Sequence, residues 1–214
     1  MTPNGPSQTL WFLAPGLAHL LGNALFTVQG RLRLVATATP DDLPTDLRAM
    51  HEGVDRVQAG LQLLRWLLDE GGSSPAEAGT VLRTMVEVAR VPLRDRGIGL
   101  SLEVADGGEP AAVDPVALCR IVTAACRAQA NTVHGTPHAS MQLAWRASAE
   151  RGEVQVGCTL VPGEAGPSLA REAALCADAL RAELSDLAVR WESADQGATL
   201  VAVVPMVKAS FRAS

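Results

Sequence analysis

The chain has 214 residues, 48% hydrophobic and 19% charged, which is enough apolar content to bury a core and too little charge for a disordered chain. A net charge of −5 argues against non-specific binding to nucleic-acid phosphates, and 3% aromatics with no Tyr offer few stacking platforms for single strands. No unbroken apolar run reaches the ~18 residues of a membrane span, and no basic residue precedes the first apolar run, so no membrane partner, no nucleic-acid partner and a cytoplasmic location are expected.

Residues 7–36 carry a helical stripe of Leu10, Leu13, Leu17, Leu21, Ala24, Leu25, Val28, Leu32 and Val35. A break follows at 37–44. Beyond it Leu47, Met50, Val54, Val57, Leu61, Leu64 and Leu68 alternate steps of three and four, an unbroken heptad seam; only Gly53 and Gly60 run against helix propensity. The two segments predict an antiparallel hairpin, with Trp11 and Phe12 covering one end. One hairpin leaves too much apolar surface open for its size, so two copies are expected to close a four-helix bundle in a homodimer.

A second break at 71–75 divides a helical hairpin (1–72) from an α/β domain (73–214). Ser74-Pro75-Ala76-Glu77 reads as a capping box opening a helix that runs to about Arg94. Ile98, Leu100, Leu102 and Val104 alternate as a strand, and Asp114-Pro115 opens a helix with Leu118, Ile121, Val122 and Ala125 on one face. Met141 to Trp145 and Val154 to Leu160 make a hairpin, 168–185 a helix, and 187–193 and 199–205 two closing strands. The expected class is α+β, with helices on one face of a mixed sheet. Cys119, Cys126, Cys158 and Cys176 lack zinc-knuckle spacing and read as reduced structural thiols.

His19 carries the chemistry. On the helical wheel it lies nearly opposite the apolar stripe, with Asn23, Phe26 and Gly30 on the same outward side. Gly22 and Gly30 are poor helix formers, tolerated where a partner must approach closely. A neutral imidazole nitrogen is a competent nucleophile near pH 7. His134 and His138 lack a visible third ligand for a metal, His51 reads as solvated, and Trp66 and Trp145 read as packing.

The run Leu17-Ala18-His19-Leu20-Leu21-Gly22-Asn23-Ala24-Leu25-Phe26-Thr27-Val28-Gln29-Gly30 resembles the phosphoacceptor motif of two-component histidine kinases, and the order of elements behind it is similar to their ATP-binding domain. That family usually has an acidic residue directly after the histidine; here it is Leu20. Its magnesium-holding Asn is missing from Cys119 to Ala128, with Asn131 displaced towards the helix end, and 161–167 replaces the Gly-rich adenine motif and leaves no room for a nucleotide lid. Kinase-like architecture without ATP chemistry is similar to the histidine phosphotransferases of sporulation and cell-cycle phosphorelays, which pair a dimeric hairpin with a degenerate ATPase-like domain. The resemblance implies a phosphotransferase that passes a phosphoryl group between receiver-domain aspartates, with His19 as phosphoacceptor and Asn23 orienting it. Gly22, Phe26, Gly30 and Arg33 would face the partner. It implies response-regulator receivers as partners, a hybrid histidine kinase among them, with magnesium supplied by the receiver and no cofactor on this chain. The alternatives are a docking or inhibitor protein of two-component signalling in which His19 is dispensable, and a kinase with a divergent nucleotide site.

Overall fold

The computed structural model describes residues 6–35, 37, 39, 41–68, 74–104, 112–133, 139–147, 151–159, 180, 182, 184–185, 189–194 and 197–205. In chain order these form α1 (Pro6–Val35), α2 (Leu43–Leu67), β1 (Ala76–Glu77), α3 (Ala78–Arg94), β2 (Gly99–Val104), β3 (Ala112–Val113), α4 (Pro115–Thr132), β4 (Ser140–Ala147), β5 (Arg151–Thr159), β6 (Val189–Ala194) and β7 (Gly197–Pro205). The architecture is α+β: a helical hairpin followed by a small α/β layer.

The hairpin closes on its glycines. A Cβ at Gly53 would sit 2.7 Å from Val28 Cγ2, and one at Gly60 would sit 3.0 Å from Leu21 Cδ2. The two residues that lower helix propensity are therefore the ones that let α2 approach α1. Asp46, buried in the first turn of α2, accepts a 2.8 Å hydrogen bond from Arg31 and ties the two helices together beside their connecting turn. It also meets the positive end of the helix dipole.

The heptad seam is not the face of α2 that meets α1 most closely within the chain. Asp46, Gly53, Gly60, Leu63 and Leu67, each one position before a seam residue, are the buried residues of α2, whereas Leu47, Val54, Leu61 and Leu68 are exposed and Met50, Val57 and Leu64 are half-buried. On α1 the same holds for Leu25 and Leu32, which stand exposed, while Phe12 and Leu20, off the expected stripe, are buried. The reason is α3: it packs on the amino-terminal half of α1 and pulls a second face of that helix into the core. Gly16 permits this, because any Cβ there would collide with the backbone carbonyl of Val88. Trp11 stays exposed; Phe12 is buried beneath the Arg96 guanidinium, 5.5 Å from the ring centroid.

One contiguous apolar cluster runs from Leu13, Leu17, Leu63 and Leu67 of the hairpin through α3 and α4 to Leu143 and Val156 of the sheet. By length and composition alone, Leu10–Val35 is long and apolar enough to cross a membrane, which counting unbroken apolar runs does not register. About a third of its most apolar window, 33%, is buried inside the molecule, so part of that apolarity serves the core.

Ser74 does not cap α3. Ala76 and Glu77 pair antiparallel with Val113 and Ala112 in a two-stranded ladder, and the helix starts after it. Glu77 is the N-cap: its carboxylate accepts from the Thr80 N–H at 3.0 Å and from the Thr80 hydroxyl. Pairing with β3, a long-range contact invisible to local spacing, overrides the capping-box signal. At the other end Gly97, with φ of +76°, closes α3: Ile98 N–H bonds to Leu93 O and Gly97 N–H to Arg94 O, each at 2.9 Å. This sharp stop feeds directly into β2.

Asp114 caps α4 by accepting from the Val116 N–H at 2.9 Å, as Asp-Pro predicts. The main sheet has the order β2-β4-β5-β7-β6, with β2 parallel to β4 and the other pairs antiparallel. Met141, Leu143 and Trp145 are buried while Gln142 and Arg146 are exposed, so one face of this strand meets the helices. The expected helix at 168–185 falls outside the described residues except Leu180, Ala182, Leu184 and Ser185; the loop 161–167, His134 and His138 also lie outside them.

Cys119 and Cys126 are buried in α4. Burial pushes the Cys126 thiol up to about 12; for Cys119 burial raises it, and the nearby Asp114 carboxylate adds to that. The thiolate is the reactive form. Both are therefore expected to resist iodoacetamide in the native protein at pH 8 and to react on unfolding, which peptide mass mapping of the alkylated chain checks.

Candidate functional site

His19 stands near the middle of α1, on the exposed side, with Asn23 one turn further on. The Asn23 carboxamide nitrogen lies 2.9 Å from His19 Nε2. With the carboxamide nitrogen as donor, the matching tautomer has Nε2 accepting and the ring proton on Nδ1. The arrangement presents Nε2 as the lone-pair nitrogen and fixes the plane of the ring. Thr27, one turn beyond, bonds back to Asn23 O through its hydroxyl at 2.9 Å.

The other expected partner-facing residues follow along the same outward side. Phe26 is 77% exposed. A Cβ at Gly22 or Gly30 would meet nothing within 4 Å, so neither glycine is required by packing within the chain. Arg33 is exposed in the last turn, two turns beyond Phe26.

Leu20, directly after His19, is 5% exposed and belongs to the core cluster. A carboxylate there would be buried among apolar side chains, so packing accounts for the leucine. Asn131 Oδ1 is engaged by Arg96 Nη1 at 3.2 Å and joins α4 to the turn after α3. Among the described residues no group of three or more His, Cys, Asp or Glu side chains is placed to hold a metal ion. His51 is exposed, 3.7 Å from Asp55, and Trp145 is buried over Gly152.

What the sequence does not reveal is the wall opposite His19. A cleft of about 580 Å³ lies between the hairpin and the α/β layer. His19, Leu20 and Asn23 line it from α1, Arg56 from α2, and Glu87, Arg90, Val91 and Arg94 from α3, with the 97–100 turn below. The α3 residues fall at i, i+3, i+4 and i+7, one helical face. Arg90 is anchored through Nε to Leu100 O at 3.3 Å. The spacing marks this face as polar; nothing local tells which element it will confront.

No protein-family profile and no curated protein matches this chain. Among solved structures it is similar to the histidine kinase AdeS of Acinetobacter baumannii, at 12% identity and a TM-score of 0.44 over 88% of this chain and 98% of that one. It is similar to a bacterial phosphotransferase, at 11% identity and 0.42 over 91% of this chain and 95% of the other. It is also similar to full-length ShkA in complex with AMPPNP, at 19% identity and 0.48 over 95% of this chain, which spans 45% of ShkA.

Proposed function

We propose that this chain is a phosphorelay histidine phosphotransferase acting through His19. The observation that carries the reading is the His19–Asn23 pair: an exposed imidazole on a long helix, held in the tautomer that leaves Nε2 nucleophilic. In the first transfer Nε2 attacks the phosphorus of a receiver's aspartyl phosphate. The N–P bond forms, the acyl O–P bond breaks, and the aspartate leaves as carboxylate. Nδ1 keeps its proton, so no general base is required in this step, and a leucine at position 20 is compatible with it. The second transfer is the reverse onto another receiver. Magnesium comes with the receiver, and the chemistry needs positioning more than proton transfer. Asn23 releases Nε2 as the phosphoryl group arrives and then donates to one of its oxygens.

Phe26, with the open helix surface at Gly22 and Gly30, forms the receiver-docking face; Arg33 extends it. The hairpin (1–72) carries transfer and self-association, and the remainder (73–214) is a scaffold derived from an ATPase-like domain. A second copy covers the exposed Leu47–Val54–Leu61–Leu68 row.

The test is transfer itself. Incubation with labelled phosphorylated receivers is expected to label the chain, and His19→Ala to reduce the label to background. Labelled ATP with magnesium is expected to give none. Receiver binding without transfer by any receiver would refute the phosphotransferase and leave a docking or inhibitor protein.

A further inference from the structure

We infer that the cleft beside His19 is a binding site for a phosphate dianion. Arg56, Arg90 and Arg94 meet there from two helices, against one carboxylate, Glu87. The lining carries a formal charge of +2 with neutral histidine, in a chain whose net charge is −5. Three of the twelve lining residues are arginine, against 18 lysines and arginines in the 214 residues of the chain.

Among the described residues two of these guanidiniums are uncommitted and the third is committed only in part. Arg31–Asp46, His51–Asp55 and Arg83–Glu77 are ion pairs, and among the described residues no cleft arginine takes part in one. Arg56 and Arg94 make no hydrogen bond among the described residues, and Arg90 spends only Nε, on Leu100 O, leaving its terminal amino groups for a ligand. Planar guanidinium donors match phosphate oxygens, and three of them with the Asn23 carboxamide supply donors from several sides of a tetrahedral anion. Arginines gathered only for stability would be expected to have found carboxylates.

Two sources of the dianion share this chemistry: a phosphoryl group carried on His19 Nε2, or a free phosphate compound. Only the first rests on the phosphotransfer reading. In that case the arginines hold phosphohistidine against α3 and shield it from water between the two transfers.

The experiment is an NMR titration of the full chain with inorganic phosphate at matched ionic strength, following the arginine Nε and imidazole signals. Saturable binding is expected, weakened about tenfold by R56A or R94A, each of which removes charge-assisted bonds, and tightened several-fold by E87Q. All three side chains are exposed, so the variants should fold; the opposite sign of E87Q separates a charge effect from a loss of structure. Absence of saturation, or binding that survives R56A/R94A together, overturns the site. Phosphoramidate then identifies the source: its phosphoryl group moves to Nε2, its P–N bond breaks and ammonia departs. Exclusion of inorganic phosphate from the phosphorylated chain assigns the cleft to phosphohistidine, and undiminished binding assigns it to a free phosphate compound. The titration uses no receiver, so a chain that binds phosphate yet accepts no label from receivers refutes the phosphotransferase and leaves the site standing.

Discussion

Gly16→Val is expected to destabilise the protein by about 3 kcal/mol or more, the upper range for overpacking, because the obstacle is backbone. A Cβ at position 16 runs into the Val88 carbonyl in the middle of α3, and a helix backbone cannot step aside as a side chain can. For a chain of this length, that corresponds to roughly a 6–12 °C fall in Tm. Gly22→Ala, on the same helix six residues away, is expected to move the other way. Its Cβ meets nothing within 4 Å, so only the helix-propensity gain remains, about 0.5–1 kcal/mol. Thermal denaturation of the two variants side by side tests the packing of α1 on α3. Equal midpoints would mean that the two helices do not approach at Gly16. The Gly22→Ala variant carries a second readout: if a receiver docks on that face, transfer slows while stability rises.

The contrast between these glycines shows where sequence reading reaches its limit. Five glycines interrupt the hairpin helices, at 16, 22, 30, 53 and 60, and propensity treats them alike. Gly53 and Gly60 face the partner helix, Gly16 faces α3, and Gly22 and Gly30 face outwards, a difference made by the packing of α1 with α2 and α3 and not by any local pattern. The same holds for the apolar seam. Its period is legible, since the heptad spacing of Leu47, Val54, Leu61 and Leu68 is strict. Which side of α2 meets α1 is not, because small residues one register earlier allow a closer approach than leucines do.

The α/β layer was more legible. Alternation in 141–145 and in 154–160, and the Asp-Pro start of α4, follow from side-chain period and cap chemistry, and both coincide with the observed elements. The two-residue strands β1 and β3 escape such reading: they are too short for a period, and each exists only because the other is beside it. The site divides the same way. His19 and Asn23 are one turn apart on a single helix, so spacing alone brings them together. Arg56, Arg90 and Arg94 join them only through the packing of α2 and α3 around α1, and an arginine on the polar face of an amphipathic helix carries no local sign of what it will face.

The exposed seam leads to the second large effect. Leu47 and Leu61 are 51% and 47% exposed, with Val54 and Leu68 between and beyond them, a row of apolar side chains on every second turn of α2. At 100° per residue this row lies about a quarter turn from the contact with α1 and away from Arg56 on the cleft side. Leu25 and Leu32 repeat the seven-residue spacing on α1, so the hairpin presents two parallel apolar ridges. A strict seven-residue repeat is the pattern that packs against another copy of itself, knobs into holes, and closes a four-helix bundle. The proposed dimer therefore predicts that Leu47→Glu/Leu61→Glu is a monomer. Each replacement forfeits about 1.5–3 kcal/mol of burial and would place a carboxylate in the seam, together raising the dissociation constant by more than about 10³-fold. Light scattering at micromolar concentration should give twice the chain mass for the parent and the chain mass for the variant. The seam faces away from the core of its own chain, so the variant should keep its secondary structure, and its cleft should still bind phosphate. A parent protein that is monomeric across that range would rule out the bundle and leave the apolar row for a partner of another kind.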